Sequence, residues 1–170
     1  KVMIHLFLGG ARSGKSRMAE ERASHLQYPV TYIATAQAWD DEMTDRIQHH
    51  QQQRPQDWTL VEEPIELAHQ LQRIDQAEQT ILVDCLTLWL SNLLMQNNDV
   101  WRDKLNELYE VLPTLHSNII LVSNETGLGV VPMGQLTRQF VDESGRMHQR
   151  LGQIADQVTF CVAGFPMKLK

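Results

Sequence analysis

Eight residues near the start of the chain combine glycines, a lysine and a serine at the spacing that suits a polyphosphate group. They read Gly-Gly-Ala-Arg-Ser-Gly-Lys-Ser and fit the pattern G-x-x-x-x-G-K-[ST]. Glycines let consecutive backbone N–H groups face phosphate oxygens, and a helix beginning near Gly14 adds its positive dipole end. Lys15 would reach the β- and γ-phosphates, and the Ser16 hydroxyl would ligate Mg²⁺. The predicted phosphate site comprises Gly9, Gly10, Ala11, Arg12, Ser13, Gly14, Lys15 and Ser16.

The segments on both sides of this loop are the ones that the pattern requires. Residues 2–8 form a mostly apolar stretch of strand length, and Ala19, Ala23 and Leu26 then follow a helical spacing. An ordinary glycine-rich turn with a chance Lys-Ser is the alternative. The strand before the loop and the helix after it favour the phosphate site.

Polar residues follow later apolar runs, at the positions where ligands collect in open α/β sheets. Asp84 comes directly after the run 81–83 and is predicted to hold Mg²⁺, directly or through water. A role as N-cap of the following helix is the alternative for Asp84. Asn124 and Glu125 follow the run 119–122, and they either orient a substrate hydroxyl or cap and solvate a glycine-rich loop.

Two adjacent histidines, His49 and His50, end a segment that begins with acidic residues. Acidic residues at the start and basic residues at the finish suit a helix dipole, which by itself explains a histidine there. On a helix, Arg46 and His50 share a face. A neutral imidazole can attack phosphorus, so His50 is also a candidate nucleophile, and the residues alone leave both roles open.

Short apolar runs alternate with longer amphipathic segments along most of the chain. This alternation predicts an α/β fold that is P-loop NTPase-like, with a mainly parallel sheet flanked by helices. The predicted strands are 3–8, 30–34, 81–83, 119–122 and 158–162, with a further short strand near 58–61 and an edge strand at 167–169. The predicted helices are 16–26, 41–52, 64–74, 87–95, 100–112 and 136–155.

Composition restricts the kinds of binding partner and the cellular compartment that are expected for this chain. The chain of 170 residues is expected to form one catalytic domain over 1–170, and its net charge of -6 argues against a nucleic-acid partner. Cys85 and Cys161 lie in apolar runs and are expected to be free thiols, which fits a reducing compartment. With neither a span of about twenty apolar residues nor an export signal visible, no membrane span and a cytoplasmic location are expected.

Several motifs together resemble one family, the bifunctional adenosylcobinamide kinase/adenosylcobinamide-phosphate guanylyltransferases. The resemblance covers nearly the whole chain and is far more specific than the phosphate loop alone. It rests on the loop 9–16, Tyr-Ile-Ala-Thr at 32–35, Asp-Asp-Glu-Met at 40–43, Arg-Ile-Gln-His-His at 46–50, Arg-Pro at 54–55, Ser-Asn-Glu at 123–125, Gly-Leu-Gly-Val-Val-Pro at 127–132 and Gly-Arg-Met-His-Gln-Arg-Leu at 145–151.

The resemblance implies an enzyme of cobalamin assembly. Such an enzyme phosphorylates the aminopropanol hydroxyl of adenosylcobinamide with ATP or GTP, then transfers GMP from GTP to form adenosylcobinamide-GDP. The guanylylated histidine of the family matches His50, and Lys15 serves as the other catalytic residue. The resemblance also implies Mg²⁺ at Ser16 and Asp84, and a homotrimer. Its further nucleotide contacts match Ala34, Thr35, Ala36, Gln51, Gln52, Gln53, Arg54, Glu62 and Asp84.

Three other functions are weighed against this one. The nearest is a P-loop small-molecule kinase without guanylyltransferase activity, in which His50 has no chemical role. A regulatory GTPase is disfavoured because the chain lacks an Asn-Lys-x-Asp motif for base recognition, and Asp-Glu-Ser-Gly at 142–145 does not follow a strand. A non-catalytic nucleotide-binding module is the third, and turnover with cobinamide would exclude it.

Overall fold

Seven strands form one sheet in the computed structural model, which describes residues 2–36, 41, 45, 48–49, 52, 55, 57–129 and 131–170. The strand order is β3-β2-β4-β5-β1-β6-β7, and all neighbours are parallel except β6 and β7. The predicted, mainly parallel sheet is therefore confirmed. The strands are β1 Ile4–Gly9, β2 Val30–Ala34, β3 Thr59–Glu62, β4 Thr80–Asp84, β5 Asn118–Asn124, β6 Gln157–Val162 and β7 Phe165–Lys168.

Helices connect the parallel strands and lie close to their predicted bounds. Within the described residues they are α1 Lys15–His25, α2 Leu67–Ile74, α3 Leu86–Met95, α4 Trp101–Val111 and α5 Gln135–Ile154, with a short 3₁₀ turn at Leu112–Thr114. α2 begins three residues later than predicted, because Pro64 and its neighbours form the connection from β3. None of the described helices has both the length and the apolar character needed to cross a membrane.

Alternate residues of the central strands supply two separate cores, one on each face of the sheet. Phe7, Leu82 and Ile120 pack on one face against Ala19 and Ala23 of α1. The neighbouring residues of the same strands pack on the other face against α2, α3, α4 and α5. Burial on both faces explains why the central strands read as continuous apolar runs.

The outer strands differ from the central ones. β3 extends the sheet in parallel beside β2, one residue later than the predicted strand 58–61. β7 runs antiparallel to β6, starts before the predicted 167–169 and includes Pro166, opposite Cys161. A proline lacks the N–H that a central strand would need, so its place on an edge strand is the expected one.

Asp75 joins the end of α2 to the start of β5. Its carboxylate accepts hydrogen bonds from the backbone N–H groups of His116 and Ser117, at 2.9–3.0 Å and 2.9 Å, and from the Ser117 hydroxyl at 2.9 Å. Partial burial opposes ionisation, but the bonds from His116 and Ser117 outweigh it and hold the pKa of Asp75 below its ordinary value of 3.8.

We expect Asp75→Asn to lower the free energy of unfolding at pH 7 by about 1–3 kcal/mol, since it removes hydrogen bonds to a charged acceptor. A depressed folded-state pKa stabilises the protein above the unfolded-state value of about 3.9. That contribution is lost as the pH falls through the lower folded-state pKa, so the difference from wild type should shrink below pH 4. Urea unfolding at several pH values measures it, with Asp99→Asn, an exposed site, as the control. An undiminished difference at low pH would contradict the electrostatic explanation.

Candidate active site

The segment 9–16 connects β1 to α1 in a tight loop. Steric constraints require glycine at two of its positions. Gly14 has φ of 94°, a conformation that L side chains rarely adopt. A Cβ at Gly9 would lie 2.3 Å from Ser13 Oγ and 2.8 Å from the Cys161 carbonyl oxygen. Neither position accepts a larger residue without a shift of the loop.

The loop is attached to the strands on both sides of β1. The Glu125 N–H, just after β5, donates to the Gly9 carbonyl at 2.9 Å, and the Gly164 N–H, in the β6–β7 turn, donates to the Ser13 carbonyl at 2.9 Å. These two hydrogen bonds fix the position of the loop relative to the sheet. It can therefore present its N–H groups to a ligand without first becoming ordered.

Lys15 is the first residue of α1, and its side chain is buried beneath the loop. Its Nζ donates to the Gly10 carbonyl over 3.1 Å, so the ammonium group lies beside the loop backbone. The Ser13 hydroxyl is buried and has no hydrogen-bond partner in the described part of the chain. An ammonium group, an unpaired hydroxyl and a helix N-terminus at one point together suit a phosphate group.

Asp84 faces Ser16 across the site. Ser16 Oγ lies 3.5 Å from Asp84 Oδ2, and the Tyr32 hydroxyl donates to the same carboxylate oxygen over 2.7 Å. Cys85, and not Asp84, caps α3, because its sulfur accepts from the Leu88 N–H over 3.4 Å. The capping alternative for Asp84 is thus wrong.

The Ser16–Asp84 pair offers the oxygen ligands that Mg²⁺ prefers. Among the described residues, no group of three or more His, Cys, Asp or Glu side chains could hold a metal ion by itself. The pair therefore fits a cation whose other ligands are phosphate oxygens and water, as in sites where Mg²⁺ arrives with a nucleotide.

The other predicted nucleotide contacts at the carboxyl edge lie on neighbouring strands. Ala34 of β2 pairs with both Glu62 of β3 and Asp84 of β4, so the three residues are at the same level of the sheet. The Thr35 hydroxyl is buried and bonds to the backbone of Cys85, donating to its carbonyl and accepting from its N–H. This engagement makes Thr35 a support between β2 and β4, and a nucleotide contact by Ala34, Thr35 or Ala36 stays a prediction.

Glu62 and Glu63 are adjacent in sequence but have different environments. Glu63 accepts from the N–H groups of Ile65 and Glu66, at 3.1 and 2.9 Å, and so stabilises the turn that leads into α2. Partial burial opposes ionisation of Glu63, but these bonds outweigh it and lower its pKa. Glu62 is exposed at the end of β3, where it remains available to a ligand.

Several predicted residues lie outside the described part of the chain. They are Arg46, His50, Gln51, Gln53 and Arg54. The described residues of the predicted helix 41–52, namely Asp41, Asp45, Gln48, His49 and Gln52, are all helical.

The sequence did not predict the contacts that His148 makes. Its Nε2 lies 2.7 Å from the Ser123 hydroxyl, and its Nδ1 lies 3.6 Å from Glu125 Oε2. Sequence spacing gave no metal-binding pattern for this histidine, but one signal was present. Ser144, Met147, His148 and Leu151 follow a helical spacing, and all four are buried on α5. A histidine on such a stripe has to find a polar partner on the sheet.

The fold and the loop together define a P-loop NTPase-type protein. Two solved structures share the architecture, flagellar accessory protein FlaH from Methanocaldococcus jannaschii and the RadB recombinase, with TM-scores of 0.55 and 0.54. The first comparison covers 99% of this chain and 78% of the other at 12% identity, and the second covers 93% and 73% at 14%. At such identities the likeness shows the fold alone.

Sequence comparison narrows this class to one family. Residues 5–169 match the model of the cobinamide kinase / cobinamide phosphate guanyltransferase family. The chain is 53% identical over 169 residues to bifunctional adenosylcobalamin biosynthesis protein CobP of Pseudomonas aeruginosa, covering 99% of this chain and 98% of the relative. It is 36% identical over 182 residues to the CobU protein of Escherichia coli, covering 99% and 100%. The chain belongs to this family of enzymes, and the resemblance seen in its motifs is confirmed.

We expect Lys15→Ala to lower both transfer reactions of this family by about 10²-fold or more, the usual loss when a charge-stabilising contact at the reacting centre is removed. The reason is that one loop would serve the transferred γ-phosphoryl group in one reaction and the leaving pyrophosphate in the other. Separate assays of the two reactions measure the effect. If guanylyl transfer kept its wild-type rate while phosphorylation was lost, the two reactions would not share the loop.

Proposed function

We propose that this protein phosphorylates adenosylcobinamide and then transfers GMP from GTP to the resulting phosphate, giving adenosylcobinamide-GDP. The observation that carries the proposal is the full-length family match, combined with a phosphate loop whose Lys15, Ser16 and Asp84 converge at one edge of the sheet. ATP and GTP are the nucleotide substrates. The family match supports this function over a kinase without the second activity, and the adduct experiment below tests the difference.

In the first reaction, the loop's N–H groups and Lys15 hold the nucleotide phosphates while the cobinamide hydroxyl attacks the γ-phosphorus. Negative charge spreads over the oxygens of the transferred group, so an ammonium group held in place by burial stabilises the transition state. Lys15 already lies beside the loop backbone, within 3.1 Å of the Gly10 carbonyl. Little reorganisation of the side chain is then needed when the nucleotide binds.

In the second reaction, the proposed nucleophile is His50, which attacks the α-phosphorus of GTP and releases pyrophosphate. The phosphate of adenosylcobinamide phosphate then attacks the enzyme-bound GMP and frees the histidine. The support for His50 is the Arg-Ile-Gln-His-His motif at 46–50. Gln51, Gln52, Gln53 and Arg54 follow His50 directly and are proposed to line the nucleotide pocket with Glu62.

Mg²⁺ is proposed to bind at Ser16 and Asp84, where it would neutralise phosphate charge. Tyr32 orients Asp84 by donating to the same oxygen that faces Ser16. The carboxylate is thereby turned toward the loop before any ligand binds.

We expect Asp84→Asn to slow phosphorylation at low Mg²⁺ and to recover partly as the Mg²⁺ concentration rises, because a neutral amide is a weaker ligand than a carboxylate. Initial rates over a range of Mg²⁺ concentrations measure this. Glu63→Gln is a matched control, since the Glu63 carboxylate is bonded to the turn that leads into α2. A defect that did not depend on Mg²⁺ would contradict the metal assignment.

The His50→Ala variant gives the sharpest test of the proposed function. It should lose the covalent GMP adduct and guanylyl transfer but keep measurable kinase activity, because only transfer through an enzyme-bound GMP needs a nitrogen nucleophile. Protein labelling with α-labelled GTP measures the adduct, and His49→Ala is the matched control. The adduct should be acid-labile and alkali-stable, as expected of a phosphoramidate.

The reaction should also depend on pH in one direction. Attack requires the unprotonated ring, so the rate of adduct formation should fall as the pH drops below about 6.5, the ordinary histidine value. Labelling of His50→Ala but not of His49→Ala would move the nucleophile to the other histidine. A wild-type protein that accepts no label would leave the kinase alternative.

The proposal includes a homotrimer, as the family resemblance implies, and a cytoplasmic location, as the sequence features indicate. Both cysteines are free, which suits a reducing compartment. Several apolar side chains on the described surface, among them Leu128, Met133 and Phe165, are exposed and could be covered by assembly. Sedimentation equilibrium measures the assembly state, and a monomer at micromolar concentration would contradict this part of the proposal.

A further inference from the structure

A cavity of about 540 Å³ lies against the phosphate loop on the side of β6. Its walls are the loop residues 10–13, the segment that follows β5, and the residues that lead into the β6–β7 turn. The volume falls within the range of small-molecule sites. A group that enters this cavity lies directly beside the phosphates that the loop would hold.

Glu125 carries the one carboxylate among the described residues that line this cavity. Its backbone N–H donates to the Gly9 carbonyl at 2.9 Å, so the residue is tied to the base of the loop. Asp84 and Glu62, which also lie at this edge, are differently placed. Asp84 already faces Ser16 and Tyr32, and Glu62 lies on β3, four strands from β1.

The Glu125 carboxylate is hydrogen-bonded at one oxygen and lies near His148 with the other. Oε1 accepts from the Gly127 N–H over 2.6 Å, and Oε2 lies 3.6 Å from Nδ1 of His148. A Cβ on residue 127 would lie 3.2 Å from Oε1, so the glycine at this position avoids a close contact with the carboxylate. The side chain keeps 23% of its surface exposed, so a substrate can still reach it.

His148 is itself fixed by the sheet. It is buried, and its Nε2 lies 2.7 Å from the buried Ser123 hydroxyl of β5. Burial lowers the pKa of His148, against the Glu125 carboxylate, which raises it, so the neutral ring is favoured at pH 7. If the serine hydroxyl donates to Nε2, the ring proton is on Nδ1 and faces Glu125.

We propose that this cavity takes the aminopropanol arm of the acceptor in the kinase reaction, that Glu125 accepts the proton of the hydroxyl on that arm, and that His148 is the positioning residue for Glu125. The assignment rests on the proposed function. The hydroxyl oxygen forms a bond to the γ-phosphorus while the bond from that phosphorus to the β–γ bridging oxygen breaks. The proton passes to the Glu125 carboxylate, and the nucleoside diphosphate leaves with the bridging oxygen.

Glu125→Gln tests the proton acceptor, because the amide keeps the size of the side chain but cannot take the proton. We expect kcat for cobinamide phosphorylation to fall by about 10²–10⁴-fold, the usual contribution of a general base. The KM for the nucleotide and the rate of GMP adduct formation should stay at wild-type values. The adduct also reports that the variant is folded. Glu107→Gln on α4, where Glu107 pairs with Lys104 and does not line the cavity, is the matched control.

His148 is tested by rescue and by non-additivity. His148→Leu should lower kcat of phosphorylation by about tenfold or more without changing the KM for the nucleotide. Without His148, the Glu125 carboxylate would no longer be aligned with the acceptor hydroxyl. His148→Gln, whose amide can still donate to Glu125, should recover part of the loss. In a Glu125→Gln protein, adding His148→Leu should cause little further loss, as expected of two groups that act as a unit.

Three results would overturn the assignment. Phosphorylation at the wild-type rate by Glu125→Gln would exclude it as the proton acceptor. Loss of the adduct together with phosphorylation in that variant would place Glu125 in the shared phosphate site. Equal losses from His148→Leu in the wild-type and Glu125→Gln proteins would give His148 a purely structural role. Failure of the proposed function looks different, because the wild-type protein itself would then form no cobinamide phosphate.

Discussion

The phosphate loop depends on its attachment to strands on both sides of β1. Backbone bonds from Glu125 and Gly164 reach the loop from the ends of β5 and β6, and Gly9 packs where a Cβ would collide with Ser13 and Cys161. A loop of eight residues has many accessible conformations when unfolded, and restricting it costs conformational entropy. The bonds to the sheet order the loop when the protein folds, so the loop does not lose this entropy when a ligand binds.

The carboxyl edge of the sheet then assigns different tasks to carboxylates by strand position. Asp84 on β4 faces Ser16 and is oriented by Tyr32, whereas Glu125 after β5 lines the cavity beside loop residues 10–13. Glu62 lies on β3, where a ligand can reach it from solvent. Parallel strands make this separation possible, because their carboxyl ends meet at one edge and neighbouring strands lie about 4.8 Å apart.

Helix α3 donates hydrogen bonds to the chain segments that leave this edge of the sheet. The buried Asn92 donates to the carbonyls of Thr35 and Pro64, at 2.8 and 3.2 Å, and the indole N–H of Trp89 donates to the Ile65 carbonyl at 2.8 Å. One helix thus satisfies backbone groups that follow both β2 and β3. Buried carbonyls left without donors would cost free energy, so Asn92 and Trp89 help to fix where the two chain segments leave the sheet.

The sequence by itself determined the phosphate loop, the parallel sheet and the family, because each depends on local spacing: glycines before Lys15, apolar runs of strand length, and motifs spread over the whole chain. It also placed Asp84 at a strand end, but it left capping and metal binding as alternatives for that residue. The tertiary structure excluded capping, because Cys85 is the residue that caps α3, and metal binding by Asp84 stays a prediction. Glu125, just after β5, lies beside His148 of α5, which is 23 positions further along the chain, and Ser123 of β5 contacts the same ring from 25 positions away. No local pattern encodes such contacts, because they depend on how a helix face packs on a sheet.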